Sequence, residues 1–572
     1  MARGVNRGCE ELGAAAPAAP AAAAHHAASP PKFCDGGLDA AVDAVDTSGA
    51  AAAAADVFAW SEGDDDGLPP CLEARRVSSI YEVRSPRRQW LLVLLMSCSN
   101  VLLPFTNTAF IPAIGAITHE FNSTPVMTAL AISIFMFATG SASLLWGPFA
   151  DRWGRRRTLL CAAVLFLGFS VGCGLARRIE LLVAFRALQG LAVACFGVTA
   201  NAVVADVFSP AQRGKAMGFA SLPVLVGPIL GPLVGGGLSQ ALGWRSTFAA
   251  MAIFGALVLA ALLLFMEETH HHYVLHRIRS TRGEGAAAAI QEAPSIRRPK
   301  FAAPWRGLIL LADPVLAPHV LATVAQYGTL YSCMMVLPTV LAAPPYSLSQ
   351  AVIGATNMAL GFGLLISAPL AGILTDRAAK TWPAAPTGRV LFSAPAALVA
   401  SPLAALLVGW SLHFRLHLGL PLIGCVFVGV GMGAYAPATS SLVSITHQQN
   451  AAAAGGALFA SMFVMGGVFT QVTPIGLATL GVGPFVSIMA ALTATTLSFA
   501  LARSIAVVRR AAAAAAAAER LPSPPAAVAA GAKDAAAPGP AVAKAPGGEP
   551  PREPAAGRAE ALVEVVVAGE RR

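Results

Sequence analysis

Long apolar stretches, separated by short polar segments, run through most of the chain. We define these stretches by the absence of Asp, Glu, Lys and Arg, because a charge at the centre of a bilayer costs roughly 2.5 to 3.5 kcal/mol even on the lenient insertion scale. A helix that spans a bilayer needs about 20 residues. Nine stretches approach or exceed that length, and they cover 89–118, 121–150, 158–176, 187–205, 216–244, 246–266, 314–375, 390–414 and 416–502.

The two longest stretches are too long for one helix each. The stretch 314–375 divides at Pro344-Pro345 and predicts two helices, and 416–502 predicts three, with breaks near 447–450 and 480–484. The other seven stretches predict one helix each. The pattern therefore predicts twelve membrane-spanning helices, which we number spans 1 to 12.

The charges of the short loops test this count, since Lys and Arg collect in cytoplasmic loops. With the N-terminus inside, the inside segments near the spans carry 22 Lys and Arg residues, and the outside segments carry four, namely Arg177, Arg178, Arg245 and Arg415. Both termini are therefore expected in the cytoplasm. This topology also accounts for the net charge of +9, so no nucleic-acid partner is expected.

Composition agrees with a polytopic membrane protein and excludes a soluble enzyme. The chain is 56 % hydrophobic and 12 % charged, where soluble proteins carry about 25 % charged residues. We expect a disordered cytoplasmic tail at 1–82, six-helix bundles at 83–266 and 314–505, a cytoplasmic central loop at 267–313 and a low-complexity cytoplasmic tail at 506–572. An organellar transit peptide is the alternative for the first segment, because Arg3 and Arg7 suit it while Glu10 and Glu11 do not.

An internal repeat supports the division into two bundles. The end of span 2 contains Gly147, Asp151 and Arg152, and the end of span 8 contains Gly372, Asp376 and Arg377 at the same spacing, 225 residues later. Two six-helix halves joined by a long loop form the plan of a transporter built from parallel repeats.

With these motifs, the chain resembles the major facilitator superfamily over roughly 86–505. Gly147, Asp151, Arg152, Gly154 and Arg155 are similar to its signature loop between spans 2 and 3. The resemblance extends to the twelve-span drug:proton antiporters, with fungal multidrug and polyamine resistance exporters nearest. Matches to that family are Arg186, Gln189 and Gly190 in span 4, Gly227, Pro228, Gly231, Pro232, Gly235 and Gly236 in span 5, Gly243, Trp244, Arg245 and Phe248 after it, and Glu268 with Thr269 after span 6.

The signature loop also has a physical interpretation as a conformational gate. Asp151 can lie against the positive N-terminus of a helix from the other half, and Arg155 can reach Asp206 at the end of span 4. Contacts that form only when the cytoplasmic side is closed would favour the outward-facing state. We include the repeat residues Gly372, Asp376 and Arg377 in this gate. The alternative is ordinary positive-inside anchoring by the arginines.

Two spans carry features with a functional and a structural interpretation. In span 5, Gly227, Gly231 and Gly235 share one helix face, which the resemblance assigns to sealing a leak path and which simple helix packing would also explain. In span 4, Arg186 either extends to the outer interface or turns inward to bond Gln189 or backbone carbonyls. The inward orientation makes Arg186 and Gln189 candidates for coupling, together with His319 in span 7.

The superfamily resemblance places the substrate cavity between the halves. Candidate lining residues are Asn100, Asn107, Gln326, Tyr327, Tyr331 and Tyr435. No Asp or Glu lies inside any span, although cation exporters commonly need a buried carboxylate. A neutral or anionic amphipathic organic solute is therefore easier to accommodate than a polycation.

The sequence thus predicts an all-α membrane transporter that is not an enzyme and needs no cofactor or metal. Our first hypothesis is export of small organic solutes or drugs by alternating access, coupled to protons as an antiporter. The alternatives are a facilitator or symporter that imports a metabolite, and a non-transporting membrane receptor or scaffold. We expect a monomer in the lipid bilayer of the plasma membrane, with a vacuolar or organellar membrane as the alternative.

Overall fold

Twelve long helices make up nearly all of the structure, a computed structural model that describes residues 80–282, 305–383, 385–447 and 450–520. The expected tails fall mainly on 1–79 and 521–572, outside the described residues. The helices are α1 Pro86–Thr108, α2 Pro125–Trp153, α3 Arg155–Gly174, α4 Ile179–Val207, α5 Pro210–Leu242, α6 Arg245–Phe265, α7 Ala317–Leu341, α8 Gln350–Thr381, α9 Ala394–His413, α10 Gly419–Thr446, α11 Ala451–Leu480 and α12 Val482–Arg520.

The predicted all-α membrane fold is confirmed. Within the described part of the chain, eleven helices are long and apolar enough to cross a membrane, while the described apolar stretch of α5 is the shorter Val226–Leu242. The breaks predicted in the two longest apolar stretches coincide with the gaps between α7 and α8, α10 and α11, and α11 and α12. Turn chemistry sets several ends: Pro occupies the first turn of α1, α2, α5, α7 and α9, and α2, α5 and α11 end at glycines with positive φ.

Several elements extend beyond the apolar stretches. Helix α12 continues to Arg520, because the alanine-rich segment 511–518 favours helix. The central segment also contains two short helices, His271–Arg282 and Arg306–Leu311, which loop composition alone does not indicate. Span 1 continues through a 3₁₀ turn at Ile111–Ala113 and a short helix at Ile114–Glu120.

The repeat in the sequence is matched by a repeat in helix packing. In the first half, α1 packs on α5, α2 on α4, and α3 on α6; in the second half the equivalent pairs are α7 on α11, α8 on α10, and α9 on α12. The two halves meet mainly through α2 against α11 and α5 against α8. A polar contact also joins the two similar bundles where Asn107 of α1 donates to Tyr331 of α7.

Candidate functional site

Three charged side chains come together where α2, α3 and α4 meet. Arg155 donates from Nη1 to Asp151 Oδ1 at 2.6 Å and from Nε to Asp206 Oδ2 at 2.9 Å. The Arg155 side chain is 7 % exposed and that of Asp206 14 %, whereas that of Asp151 is 44 % exposed. We call the end of the bundle that contains these residues the motif end, and the opposite end the far end.

The carboxylate of Glu268 closes the N-terminus of α3 beside this cluster. Its Oε1 accepts the backbone N–H of Arg155 at 2.9 Å and its Oε2 that of Arg156 at 3.3 Å. A helix N-terminus leaves such N–H groups unsatisfied and favours a negative charge. Gly154 has φ of 92°, a conformation that residues other than glycine rarely adopt. The signature loop therefore favours glycine at this position because of its backbone conformation.

The segment after α6 folds back over the motif end of the first half. Arg84 donates to the backbone oxygen of Glu268 at 2.6 Å, His271 Nε2 lies 2.7 Å from the backbone oxygen of Asp206, and the Tyr273 hydroxyl donates to the backbone oxygen of Arg152. The start of the central segment is therefore fixed to the first half. It is not a free linker at this point.

An apolar contact and a neutral imidazole complete this attachment. Val274, Leu275 and Ile278 pack against Ile80. Burial, followed by the positive charge of Arg155, lowers the pKa of His270 below 6.5. The imidazole is therefore neutral at neutral pH, and its Nδ1 accepts the backbone N–H of His272 at 3.2 Å.

The ion-pair contact described for Asp151 lies within the first half. It joins Asp151 to Arg155, on the next helix of the same half. A Cβ on Gly147 would meet Val198 of α4, again in the first half. A Cβ on Gly372 would meet no heavy atom within 4 Å. Among the described residues, the second copy of the motif, with Asp376 and Arg377, shows no ion-pair cluster like that of Arg155. A 3₁₀ turn at Pro386–Val390 lies between α8 and α9, whereas only Gly154 separates α2 from α3.

Arg186 lies entirely inside the first half, with no exposed surface. Its Nη1 donates to Gln189 Oε1 at 2.8 Å and to the backbone oxygen of Thr106 at 3.3 Å, and its Nε donates to the backbone oxygen of Ala131 at 3.2 Å. The Phe135 ring centroid lies 4.1 Å from the guanidinium carbon, close enough for a cation–π contact. The side chain is therefore turned inward and does not extend to the outer interface.

The polar contacts of this arginine continue into α3. Gln189 Nε2 donates to Ser170 Oγ at 2.7 Å, so the pair links α4 to α3. One guanidinium nitrogen, Arg186 Nη2, is buried without a hydrogen-bond partner in the described part of the chain. No carboxylate forms an ion pair with Arg186 among the contacts described here.

The glycines of span 5 lie against two different helices. A Cβ on Gly227 or Gly231 would collide with Pro104 or Thr108 of α1, and one on Gly235 with Ala109 directly after α1. A Cβ on Gly236 would instead collide with the backbone of Gln350 in α8, across the interface between the halves. The shared face thus packs within the first half, and Gly236 permits close approach of the second half.

Neutral side chains join the halves toward the far end. Ser239 Oγ of α5 donates to Gln350 Oε1 at 2.5 Å, and Gln240 Oε1 accepts the backbone N–H of Ala351 at 3.0 Å. On the other side, Gln471 of α11 accepts from Ser133 Oγ at 2.6 Å and donates to the backbone oxygen of Val126 at 3.2 Å. The motifs and loop charges of the sequence do not mark these glutamines. A lone amide within an apolar span is the available signal.

Three of the six cavity candidates come together between the halves. Asn107 Nδ2 of α1 donates to the Tyr331 hydroxyl of α7 at 2.6 Å, and the Tyr327 hydroxyl donates to that of Tyr331 at 3.4 Å. Asn100 donates instead to the backbone oxygen of Ala220 at 3.3 Å, and Gln326 to that of Gly431 at 3.3 Å.

Tyr435 and His319 lie together inside the second half. His319 Nδ1 is 2.8 Å from the Tyr435 hydroxyl, and its Nε2 is 3.1 Å from Ser504 Oγ. Both side chains are at most 1 % exposed. Both imidazole nitrogens are thus engaged within one bundle, and the phenol belongs to the core of that bundle.

Comparison with known proteins identifies the family of this chain. The profile of the Major Facilitator Superfamily matches residues 96–471. The MFS antiporter QDR3 of Candida albicans is 33 % identical over 181 residues, which are 32 % of this chain and 26 % of that protein. The MFS-type transporter hepF of Aspergillus oryzae is 28 % identical over 407 residues, 68 % of this chain and 80 % of that protein.

A further relative and the solved structures agree with this family. The efflux pump radE of Floropilus chiversii is 28 % identical over 372 residues, 61 % of this chain and 67 % of that protein. The crystal structure of a D-xylose-proton symporter has a TM-score of 0.57 at 15 % identity, covering 72 % of this chain and 97 % of that one. The predicted resemblance is therefore confirmed. The chain belongs to the Major Facilitator Superfamily, as a multi-pass membrane transporter related to fungal efflux pumps and antiporters.

Proposed function

We propose that this transporter exports small organic solutes by alternating access in exchange for protons. The observation that carries the proposal is the similarity to efflux pumps, which extends over 61 % of this chain for the pump of Floropilus chiversii. The similarity to an antiporter over 181 residues supports exchange against an ion. The excess of Lys and Arg at the motif end supports a cytoplasmic location of that end and of both termini, and the plasma membrane is the membrane we propose.

The geometry supports separate roles for the two ends. In this conformation the polar contacts toward the far end hold α2 to α11 and α5 to α8, while the charge cluster at the motif end lies within the first half. We infer that the cluster stiffens the first half as one body and presents the exposed Asp151 to the second half when the motif end closes. Gly147, Gly154 and Arg152 belong to the same unit.

For coupling, we propose Arg186 with Gln189. This pair lies near the interface between the halves, because Arg186 also bonds the backbone of Thr106, next to Asn107. Arg186 is a buried cation without an ion-pair partner among the described residues, so protonation of a group near it strongly changes the local electrostatic energy. A proton bound there can therefore change the relative stability of the two conformations. His319 is the other titratable candidate, within the second half.

Transport by sealed vesicles tests the proposal and separates its alternatives. Inside-out vesicles are acidified in the lumen and supplied with labelled organic solutes. We expect uptake that depends on the pH gradient and stops with a protonophore. Uptake that ignores the gradient would indicate a facilitator, uptake only with the reversed gradient an importing symporter, and no uptake of any solute a non-transporting protein. Vesicles containing the Asp151→Asn variant, which we expect to be inactive, provide the blank.

A pair of adjacent glycines tests the far-end contact between the halves. Gly236→Ala should lower transport about tenfold, because a methyl group there pushes α5 away from α8, and overpacking costs about 1 to 3 kcal/mol. Gly237→Ala is the matched control, since a Cβ at that position meets nothing within 4 Å. The measurement is gradient-driven uptake, normalised to folded protein. Equal activity of the two variants would contradict the role of Gly236.

Gly231→Val tests the face of α5 that packs against α1. Its side chain would meet Thr108 within the first half. We expect a loss of folded protein here, because the clash lies inside one bundle. Lost activity with normal folding would instead favour a sealing role for this face.

A further inference from the structure

Four aromatic rings form a continuous row on the second half, beside the interface. The ring centroids of Tyr327 and Tyr331 are 4.9 Å apart, those of Tyr327 and Phe463 5.6 Å, and those of Phe463 and Phe459 4.5 Å. These distances lie in the range in which aromatic rings attract one another. The row runs across α7 and α11, two helices that pack directly on each other.

Residues of the first half face this row across the interface. Asn107 bonds Tyr331 at one end of the row. At the other end, a Cβ on Gly197 of α4 would lie 3.8 Å from the tip of the Phe459 ring and 3.7 Å from Asn100 Oδ1. Phe459 is only half-buried although it reaches the first half. We call the set of Tyr327, Tyr331, Phe459 and Phe463 with Asn100 and Asn107 the aromatic cleft.

The aromatic cleft contains polar atoms that lack partners. Asn107 is fully buried, yet its Oδ1 accepts no hydrogen bond from the described part of the protein. Tyr331 Oη accepts from both Asn107 and Tyr327, so its own hydrogen has no acceptor among the hydrogen bonds described here. Leaving a buried polar group unpaired costs free energy that a bound ligand recovers. The acceptor Asn107 Oδ1 and the donor hydroxyl of Tyr331 therefore have no partner among the described hydrogen bonds, and both lie beside the four rings.

We propose that the aromatic cleft binds uncharged planar aromatic solutes that carry an O–H or N–H group, such as phenols. This inference rests on the proposed function and names its substrate class. The rings of the row offer faces and edges to a planar ring. The Asn107 amide oxygen accepts from the donor of the solute, and the Tyr331 hydroxyl donates to its oxygen or nitrogen. None of the six residues of the cleft is itself charged, so a cationic solute finds no carboxylate among them.

A binding experiment with two matched probes tests the donor requirement. The full-length protein in lipid nanodiscs is dialysed to equilibrium against 2-naphthol or 2-methoxynaphthalene, with empty nanodiscs subtracted. We expect 2-naphthol to bind about tenfold more tightly, because methylation removes the only donor and leaves the rings unchanged. Equal affinities of the two probes would overturn the role of Asn107 Oδ1.

Two phenylalanine variants test the position of the site. Phe459→Leu should weaken both probes at least fivefold, because it removes one face of the cleft at little cost in volume. Phe499→Leu is the matched control, since Phe499 of α12 is 56 % exposed on the outside of the bundle and far along the chain from the cleft. Equal effects of the two substitutions would place the site elsewhere and overturn the proposal.

The outcomes distinguish this inference from the proposed function. Asn107→Ala should abolish the preference for 2-naphthol over 2-methoxynaphthalene, and Phe459→Leu keeps the test decisive if the asparagine variant fails to fold. Absence of 2-naphthol binding to protein that still shows gradient-driven uptake of another solute would refute the substrate class and leave export standing. Absence of uptake of any solute, with 2-naphthol bound as expected, would refute export and leave the cleft.

Discussion

Arg155→Ala should lower the free energy of unfolding by about 3 kcal/mol. The substitution leaves the carboxylate of Asp206, which is 14 % exposed, without its cation, and breaking one side of a buried ion pair costs roughly 3 to 5 kcal/mol. It also releases Asp151 and weakens the junction of α2, α3 and α4. The measurement is denaturant unfolding of the protein in lipid nanodiscs or mild detergent, together with the amount of folded protein recovered from the membrane.

Arg88→Ala is the matched control for this loss. Arg88 also contacts a carboxylate at the motif end, Glu267, at 2.8 Å, but both side chains are largely exposed. Exposed pairs contribute about 0 to 1 kcal/mol, so this variant should remain close to the parent protein. Similar stability losses for the two arginine variants would contradict the special role of the buried cluster.

Asp151→Asn separates folding from transport at the same cluster. Arg155 keeps Asp206 in this variant, so we expect normal amounts of folded protein with transport largely abolished, as the proposed gate requires. Full activity would refute the gate, and the stiffening role of Arg155 would then be the only function left to the cluster.

Arg186→Ala should abolish gradient-driven transport, with a loss of at least about a hundredfold. The side chain makes three hydrogen bonds and a cation–π contact inside the first half, and bonds to a charged group contribute about 1.5 to 3 kcal/mol each. Removing it also leaves the Gln189 amide oxygen unpaired. The measurement is uptake into acidified vesicles across a range of lumenal pH, since a coupling role predicts a changed pH profile and a structural role only a lower rate.

Two further variants separate a coupling role of Arg186 from a structural role. Arg186→Lys keeps the charge but lacks the planar fork that reaches several acceptors, so we expect folded protein with a weakened response to pH. Arg245→Ala is the control, because Arg245 pairs with Glu120 at the far end, where both side chains are more than 40 % exposed. An unchanged pH profile in Arg186→Lys would argue that the residue is structural only.

The helices could be predicted almost completely from the sequence. The cost of burying a charge in a bilayer keeps Asp, Glu, Lys and Arg out of the spans, so the spans appear as long stretches without these residues. Residue spacing also indicated the Arg155–Asp206 contact. For Arg186 the spacing left the inward and the interfacial orientations open, and the structure shows the inward one. The sharing of one face by the glycines at 227, 231 and 235 likewise follows from helical periodicity alone.

Other features depend on which surfaces of the helices meet, and spacing does not specify that. His319 and Tyr435 are 116 residues apart and are hydrogen-bonded to each other within one bundle. Gln471 reaches Ser133 across 338 residues, and no local pattern marks that pair. The capping of α3 by Glu268 could not be predicted from local sequence either, because Glu268 follows α6 and is distant in sequence from the start of α3.

The polar contacts described between the halves toward the far end are made by amides, hydroxyls and backbone groups, whereas the motif end is dense in ions. Dissolved ions screen charges over about 8 Å at physiological ionic strength and leave neutral hydrogen bonds nearly untouched. The transport cycle should consequently respond to potassium chloride in an asymmetric way. Salt added on the side of Asp151 should alter turnover, and the same salt added across the bilayer should leave it nearly constant.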